Sequence, residues 1–135
     1  MKYKRLTADE KVQAALLTGP ERMRILFERD LTLGEIRTSP LDIVGGFDDD
    51  GRLHYYYWLY RNGNGERAVG FGMIGSLTRG VLAAMMDVLD FLLRDGPIVG
   101  EINRSNKISR RIALFLGGEI ISEDPQIVVK FKERG

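Results

Sequence analysis

The sequence predicts one α/β domain, with a mixed and mostly antiparallel sheet and helices on both of its faces. The chain has 135 residues, of which 44% are hydrophobic and 29% charged, as expected for a domain with one continuous core. Its middle third is rich in β-branched and aromatic residues and is divided by Asp-Gly and Asn-Gly turns. Helix and strand patterns alternate in the last third. We therefore expect residues 1–135 to form one domain of element order β-α-α-β-β-β-α-β-α-β-β.

The N-terminal segment predicts a strand and two helices. The strand is expected at Lys2–Leu6, and Thr7 and Glu10 then have the spacing of a capping box. Gly19-Pro20 ends the first helix, and a second helix begins at Pro20. The side chains expected to face inward are Val12, Ala15 and Leu16 in the first helix and Met23, Leu26 and Phe27 in the second.

Three strands in the middle of the chain predict an antiparallel meander. They are expected at Leu41–Phe47, Arg52–Tyr60 and Arg67–Leu77. Asp48–Gly51 joins the first two and Asn62–Gly65 joins the next two, because Asp-Gly and Asn-Gly supply the positive φ angles of tight hairpins.

The remaining elements predict a strand–helix–strand unit with parallel strands and a closing hairpin. A long helix is expected at Gly80–Arg94, followed by a strand at Ile98–Ile102 and a helix at Lys107–Leu116. The last two strands are expected at Glu119–Ser122 and Gln126–Lys132. The side chains expected to face inward are Leu82, Met85, Leu89 and Leu92 in the long helix and Ile108, Ile112 and Leu116 in the later one.

Composition excludes several classes of function. The formal net charge of +1 supplies no bulk attraction to nucleic acid or to an anionic membrane. The absence of cysteine excludes disulfides and thiolate nucleophiles, and a single histidine leaves no His-rich metal site. No apolar run approaches the roughly 20 residues of a membrane span. We expect a cytoplasmic protein with no metal, no nucleic-acid partner and no membrane partner.

Two segments resemble a known family. Ser76–Ala83, between the meander and the long helix, is similar to a loop of the form Gln/Arg-x-x-Gly-x-Gly/Ala. Further on, Asn106, Ser109 and Gly117 have the spacing of an Asn, a small residue three positions later and a helix-ending Gly eleven positions later. On these residues and on the element order, the chain resembles the GNAT N-acetyltransferases over essentially its whole length.

The resemblance implies a binding site for acetyl-CoA, with no metal. Backbone amides at the helix N-terminus would hold the pyrophosphate. The residues implied are Thr78, Arg79, Gly80, Val81, Leu82 and Ala83, together with Asn106. The alternative is an ordinary strand-to-helix turn capped by Thr78, with Asn106 as the N-cap of the later helix.

The sequence departs from the family pattern at three positions. Leu82 stands where a second loop Gly is usual, Ala113 where a Tyr serves as general acid, and Gly118 where a Phe is usual. We expect an Ala113→Tyr variant to fold. No Glu lies within the fourth strand, where many members place a general base. This pattern of losses resembles the compact GNAT-like chains of tailed bacteriophages, some of them virion proteins, which implies host cytoplasm or virion as the location.

Two side chains are candidate catalytic bases. His54 has an imidazole suited to accept a proton from an amine, and Glu101 ends the fifth strand, near where acyl transfer occurs in the family. The alternatives are a packed or surface histidine and a base supplied by water. Gly70, Gly72 and Gly75 on the fourth strand indicate either backbone amides open to the thioester or close packing. The Asp48–Gly51 segment indicates a turn and not a calcium loop.

Two functions remain open. The first is an enzyme, an acyl-CoA-dependent N-acyltransferase that passes an acetyl group directly from acetyl-CoA to an unidentified amine. The second is a catalytically silent GNAT-fold protein, a phage accessory or virion protein or a homodimer. That alternative depends on the surplus aromatic residues of the third strand forming an accessible interface. Those residues are Tyr55, Tyr56, Tyr57, Trp58 and Tyr60.

Overall fold

The computed structural model describes residues 1–133. The last two residues of the predicted 1–135 domain, Arg134 and Gly135, lie outside the described part. The elements in chain order are β1 (Lys2–Arg5), α1 (Ala8–Thr18), α2 (Pro20–Phe27), α3 (Leu33–Thr38), β2 (Ile43–Phe47), β3 (Leu53–Arg61), β4 (Arg67–Met73), α4 (Arg79–Leu93), β5 (Ile98–Ile102), α5 (Lys107–Phe115), β6 (Glu119–Ser122) and β7 (Ile127–Phe131).

The strands form one seven-stranded sheet of order β1-β2-β3-β4-β5-β7-β6. The pairs β1–β2, β2–β3, β5–β7 and β6–β7 are antiparallel. β4 and β5 are parallel, with Ala68 opposite Val99, and α4 provides the connection between them. This arrangement confirms the predicted fold class, a mostly antiparallel mixed sheet that combines a meander with a parallel strand–helix–strand unit.

One helix was not predicted. α3 begins after Thr32, whose hydroxyl accepts from the Glu35 amide while the Glu35 carboxylate accepts from the Thr32 amide. This is the same capping box that was predicted, and is present, at Thr7 and Glu10. With six residues, α3 is too short to show a helical period, and Gly34 inside it argues against a helix in any sequence pattern.

β4 is shorter than predicted. It ends at Met73, although the Ile74 amide still donates to the His54 carbonyl at 3.0 Å. The predicted extension to Leu77 is wrong because Gly75 has φ of 70°, which turns the chain out of the strand. Residues 75–78 are exposed.

Contacts divide the described chain into two compact units. Unit 1 comprises residues 1–58 and 71–78, and its core includes Tyr55, Tyr56 and Ala14. Unit 2 comprises residues 59–70 and those from Arg79 onward, and its most buried side chains include Met85 and Val129. The expectation of a single domain stays a prediction.

The inward faces of the helices agree with prediction in α4 but not throughout α1 and α5. In α4, Met85, Leu89 and Leu92 are buried as predicted, while Leu82 is half-buried. Leu16 and Ile108, predicted to face inward, are 63% and 58% exposed. In α1 the buried positions belong to small residues, Ala14, Ala15 and Thr18, and in α5 they are Ile112 and Ala113. A pattern weighted by hydrophobicity favours large side chains, so it misplaces a helix face that packs closely through small ones.

Candidate functional site

The N-terminus of α4 presents an exposed first turn. Arg79 and Gly80, in unit 2, are both exposed, as is Thr78, the last residue of unit 1. The first amides of an α-helix have no partner within the helix, and the helix dipole places partial positive charge there. α4 has 15 residues, so its terminus combines aligned amides with the Arg79 guanidinium. This arrangement attracts an anion.

The other predicted cofactor residues differ in what they can offer to a ligand. The Val81 side chain is 2% exposed, Leu82 is half-buried and Ala83 is exposed. Asn106 is the N-cap of α5, since its side-chain oxygen accepts from the Ser109 amide at 3.1 Å. Any contact from Asn106 to a cofactor would therefore come from its side-chain nitrogen.

Glu101 is held in place by two side chains of unit 2. Its Oε1 accepts from the Tyr60 hydroxyl at 2.8 Å, and its Oε2 accepts from the Gln126 side-chain nitrogen at 3.0 Å. Glu101 is half-buried on β5, opposite Val128 of β7. Sequence reasoning missed both partners. The alternation of residues along β3 predicts that residues 54, 56, 58 and 60 share one face. Whether the Tyr60 hydroxyl contacts a residue of β5 depends on the order of the strands in the sheet, which the alternation does not give.

His54 belongs to unit 1, and its partner is Asp48. The His54 Nε2 lies 2.7 Å from Asp48 Oδ2, with both side chains about one-third exposed. Asp48 Oδ1 also accepts from the amides of Asp50 and Arg52, and the Gly51 amide donates to the Asp48 carbonyl. The hydrogen bond from His54, followed by that from the Arg52 amide, lowers the pKa of Asp48. The segment is a turn, as predicted.

No cation site accompanies these carboxylates. Among residues 1–133, no group of three or more His, Asp or Glu side chains is placed to hold a metal ion. Within the same residues, no helix has both the length and the apolar character needed to cross a bilayer.

The aromatic residues of β3 are mostly buried, which argues against the alternative in which they form an accessible face. Tyr55, Tyr56 and Trp58 are 0%, 2% and 8% exposed. Trp58 stacks on Phe27 of α2 with ring centroids 5.1 Å apart. The Tyr56 hydroxyl lies 2.9 Å from Thr18 Oγ1, and burial raises the pKa of Tyr56. These contacts with α1 and α2 place the Tyr56 and Trp58 side chains in the core of unit 1.

Unit 1 contains a cavity of about 420 Å³. Its wall includes Ala14 of α1, Met23 and Phe27 of α2, Ile36 of α3 and Tyr56 of β3. Polar groups also line it, among them Lys11, Arg29 and Glu35. The cavity was not predicted, because α3, which forms one side of it, was not predicted.

Solved structures with the same architecture are acetyltransferases. No protein-family model matches the sequence, and no curated protein matches it. The GNAT domain of PAT from S. lividans superposes with a TM-score of 0.70 at 14% identity, covering 96% of this chain and 88% of its own. The aminoglycoside acetyltransferase AAC(6')-Ib in complex with coenzyme A and kanamycin superposes with a TM-score of 0.71 at 14% identity, covering 98% and 94%. Its complex with ribostamycin and coenzyme A gives a TM-score of 0.73 at 14% identity, covering 98% and 93%.

The chain has the GNAT fold. At 12–14% identity this likeness establishes architecture and not activity.

The structure explains two departures from the family pattern, Ala113 and Gly118. Ala113, where the resemblance places a Tyr, is 5% exposed and lies on the packed side of α5. A side chain at Gly118 would meet Val129, Phe131 and the Ala113 carbonyl, so this position has no room for the usual Phe. Both losses therefore accompany close packing within unit 2, of Ala113 on the buried side of α5 and of Gly118 against β7.

Proposed function

We propose that the protein is an acyl-CoA-dependent N-acyltransferase, with acetyl-CoA as donor and an amine as acceptor. The observation that carries the proposal is the exposed N-terminal turn of α4 on a GNAT fold, with Arg79 and Gly80 in that turn. Backbone amides of the first turn, at Arg79 and Gly80, would hold the pyrophosphate, and the Arg79 side chain would add a charge-assisted hydrogen bond. Val81, Leu82 and Ala83 follow in the same segment of α4 and belong to the proposed set, although the Val81 side chain is buried. Thr78 and Asn106 complete the proposed set.

The chemistry would be direct transfer. The acceptor nitrogen attacks the thioester carbonyl, the carbon–sulfur bond breaks, and the CoA thiolate leaves. The amine proton passes to a base, for which Glu101 and His54 are the proposed groups, or to water. Glu101 is suited to the role because Tyr60 and Gln126 fix both of its oxygens, leaving further lone pairs to accept a proton. Because the chain has no cysteine, no acyl-thioester enzyme can form.

The structure does not support the main argument for the alternative function, a catalytically silent interaction protein. It required the aromatic residues of β3 to be accessible, and Tyr55, Tyr56 and Trp58 are buried. A homodimer and the resemblance to phage-encoded chains stay predictions that this burial does not address.

Acetyl-CoA binding tests the proposal. We expect acetyl-CoA to release heat on titration and to raise the melting temperature, since a ligand at a hundred times its Kd stabilises the folded state by about 2.7 kcal/mol. Arg79→Ala should weaken binding about tenfold or more, as expected for a lost hydrogen bond to a charged group. Arg94→Ala removes the same charge just beyond the other end of α4 and serves as the matched control.

Two outcomes would contradict the proposal. One is the absence of both heat and thermal shift at millimolar acetyl-CoA. The other is equal loss of affinity in Arg79→Ala and Arg94→Ala, which would place the binding outside the α4 N-terminus.

A further inference from the structure

The cavity of unit 1 combines an apolar wall with a cation that no carboxylate neutralises. Lys11 Nζ donates to the carbonyls of Ser39 at 3.1 Å and Leu41 at 2.6 Å, and all three residues line the cavity. An ammonium group has three N–H donors, so two carbonyl acceptors leave one for a ligand. Within residues 1–133, none of the ion pairs involves Lys11.

The other charges of the lining are already paired with each other. Arg29 donates to Glu35 Oε2 at 2.8 Å, and the Glu35 Oε1 accepts from the Thr32 amide. The bond from Arg29, followed by that from Thr32, lowers the pKa of Glu35, so this carboxylate is ionised at neutral pH. The lining therefore has two cations and one carboxylate, and the unmatched charge is that of Lys11.

Most of the remaining lining residues are apolar, and the cavity has the size that small ligands need. Met23, Phe27, Ile36 and Ala14 supply aliphatic and aromatic surface, and about 420 Å³ lies within the range of small-molecule sites. A single unmatched cation suits a singly charged anion. A phosphate would require more positive charge than Lys11 offers, because Arg29 is engaged.

We propose that this cavity binds a small monocarboxylate with an apolar body, whose carboxylate accepts a hydrogen bond from Lys11 and whose body packs against Met23 and Phe27. Burial of the apolar body would drive binding, and the charge-assisted bond would give selectivity for the carboxylate. The proposal does not rest on acyl transfer. The site is formed entirely by residues of unit 1.

The protein provides its own reporter for this site. Trp58 is the one tryptophan of the sequence, and it stacks on two rings that line the cavity, Phe27 at 5.1 Å and Tyr56 at 6.1 Å. A ligand that contacts Phe27 should therefore change the Trp58 emission.

The test compares three probes of equal chain length, octanoate, 1-octanol and octylamine, by Trp58 fluorescence and by calorimetry at neutral pH. We expect octanoate to bind about tenfold more tightly than octanol, and octylamine to bind most weakly. Lys11→Met should abolish the preference for octanoate over octanol while octanol still binds. Lys11→Arg should retain the preference. Lys2→Met, which removes the same charge from an exposed position on β1, should behave as wild type.

The ratio of octanoate to octanol affinity is independent of any general loss of stability in the Lys11 variants. Equal affinities for octanoate and octanol in the wild type, or an unchanged ratio in Lys11→Met, would overturn the proposal. Tighter binding of octylamine would also overturn it. So would the absence of both heat and a fluorescence change with octanoate.

Discussion

At the scale of single residues, close contacts of the buried Tyr56 side chain stabilise the core of unit 1. Tyr56 is 2% exposed, and its hydroxyl is within hydrogen-bonding distance of Thr18 Oγ1 and contacts the Met23 sulfur at 3.6 Å. Its ring lies over Gly72 of β4, where a Cβ would collide with it. Gly72 was considered as a site of backbone approach by a ligand. The group next to Gly72 is the Tyr56 ring, so the structure supports the alternative that this glycine permits close packing.

Gly72→Ala should therefore destabilise the protein by about 1–3 kcal/mol, as other small-to-large changes in a packed core do. Gly63→Ala is the matched control, because a Cβ at Gly63 meets nothing within 4 Å and this turn residue is exposed. Urea unfolding measures both. Equal midpoints for the two variants would show that the Tyr56 ring can move aside.

At the scale of elements, α5 differs from what the family pattern suggested. Its inner face is formed by Ile112 and Ala113, while Ile108, Leu114 and Phe115 are 58%, 47% and 65% exposed. The expectation that an Ala113→Tyr variant would fold requires room for a Tyr side chain at this position. Ala113 is 5% exposed, which indicates that position 113 is part of the packed core.

An Ala113→Tyr variant should lose about 1–3 kcal/mol or more of unfolding free energy, because a phenol cannot enter this interface without displacing α5. Leu114→Tyr places the same side chain at the adjacent exposed position and should change the stability by no more than about 0.5 kcal/mol. Chemical unfolding of both variants decides the matter. If Ala113→Tyr unfolds at the same denaturant concentration as Leu114→Tyr, the packing of α5 described above is wrong.

At the scale of the whole molecule, charge is nearly balanced, with 20 basic and 19 acidic residues. The individual carboxylates nevertheless differ. Among residues 1–133, three have lowered pKa values, each mainly through a side-chain hydrogen bond: Glu10 with Lys4, Glu35 with Arg29 and Asp48 with His54. Each also accepts from a backbone amide of a cap or turn.

These three carboxylates predict the direction of the acid dependence of stability. A carboxyl group whose pKa is lower in the folded state stabilises that state above its ordinary pKa of about 4, and this contribution is lost as the pH falls through the lowered value. We expect the melting temperature to fall between about pH 5 and pH 2.

The triple variant Glu10→Gln, Glu35→Gln, Asp48→Asn should melt lower at neutral pH and show a flatter profile in acid. Added salt should reduce the difference, because all three pairs are at least partly exposed to solvent. A profile of unchanged steepness in the triple variant would assign the acid dependence to other groups.

Much of the fold could be read from the sequence because its signals are local. The bounds of β5 and β6 were predicted to the residue, and the hairpin turns at Asp48–Gly51 and Asn62–Gly65 lie where their dipeptides placed them. Such signals depend on φ angles and on side-chain period, which neighbouring residues determine. α3 was not predicted because its six residues complete less than two helical turns. A segment this short shows no repeating pattern of apolar residues.

What only the tertiary structure decided is which side chains meet across elements. The partners of Glu101, Tyr60 and Gln126, lie on strands far apart in sequence, and the cavity beside Lys11 exists because α3 folds back toward α1. The sequence by itself determined the order and type of most elements, the turns between them and the absence of thiol chemistry. Long-range contacts depend on strand order and on close packing, and no local sequence pattern reports either of them. Such contacts place the aromatic side chains of β3 in the core instead of at an interface.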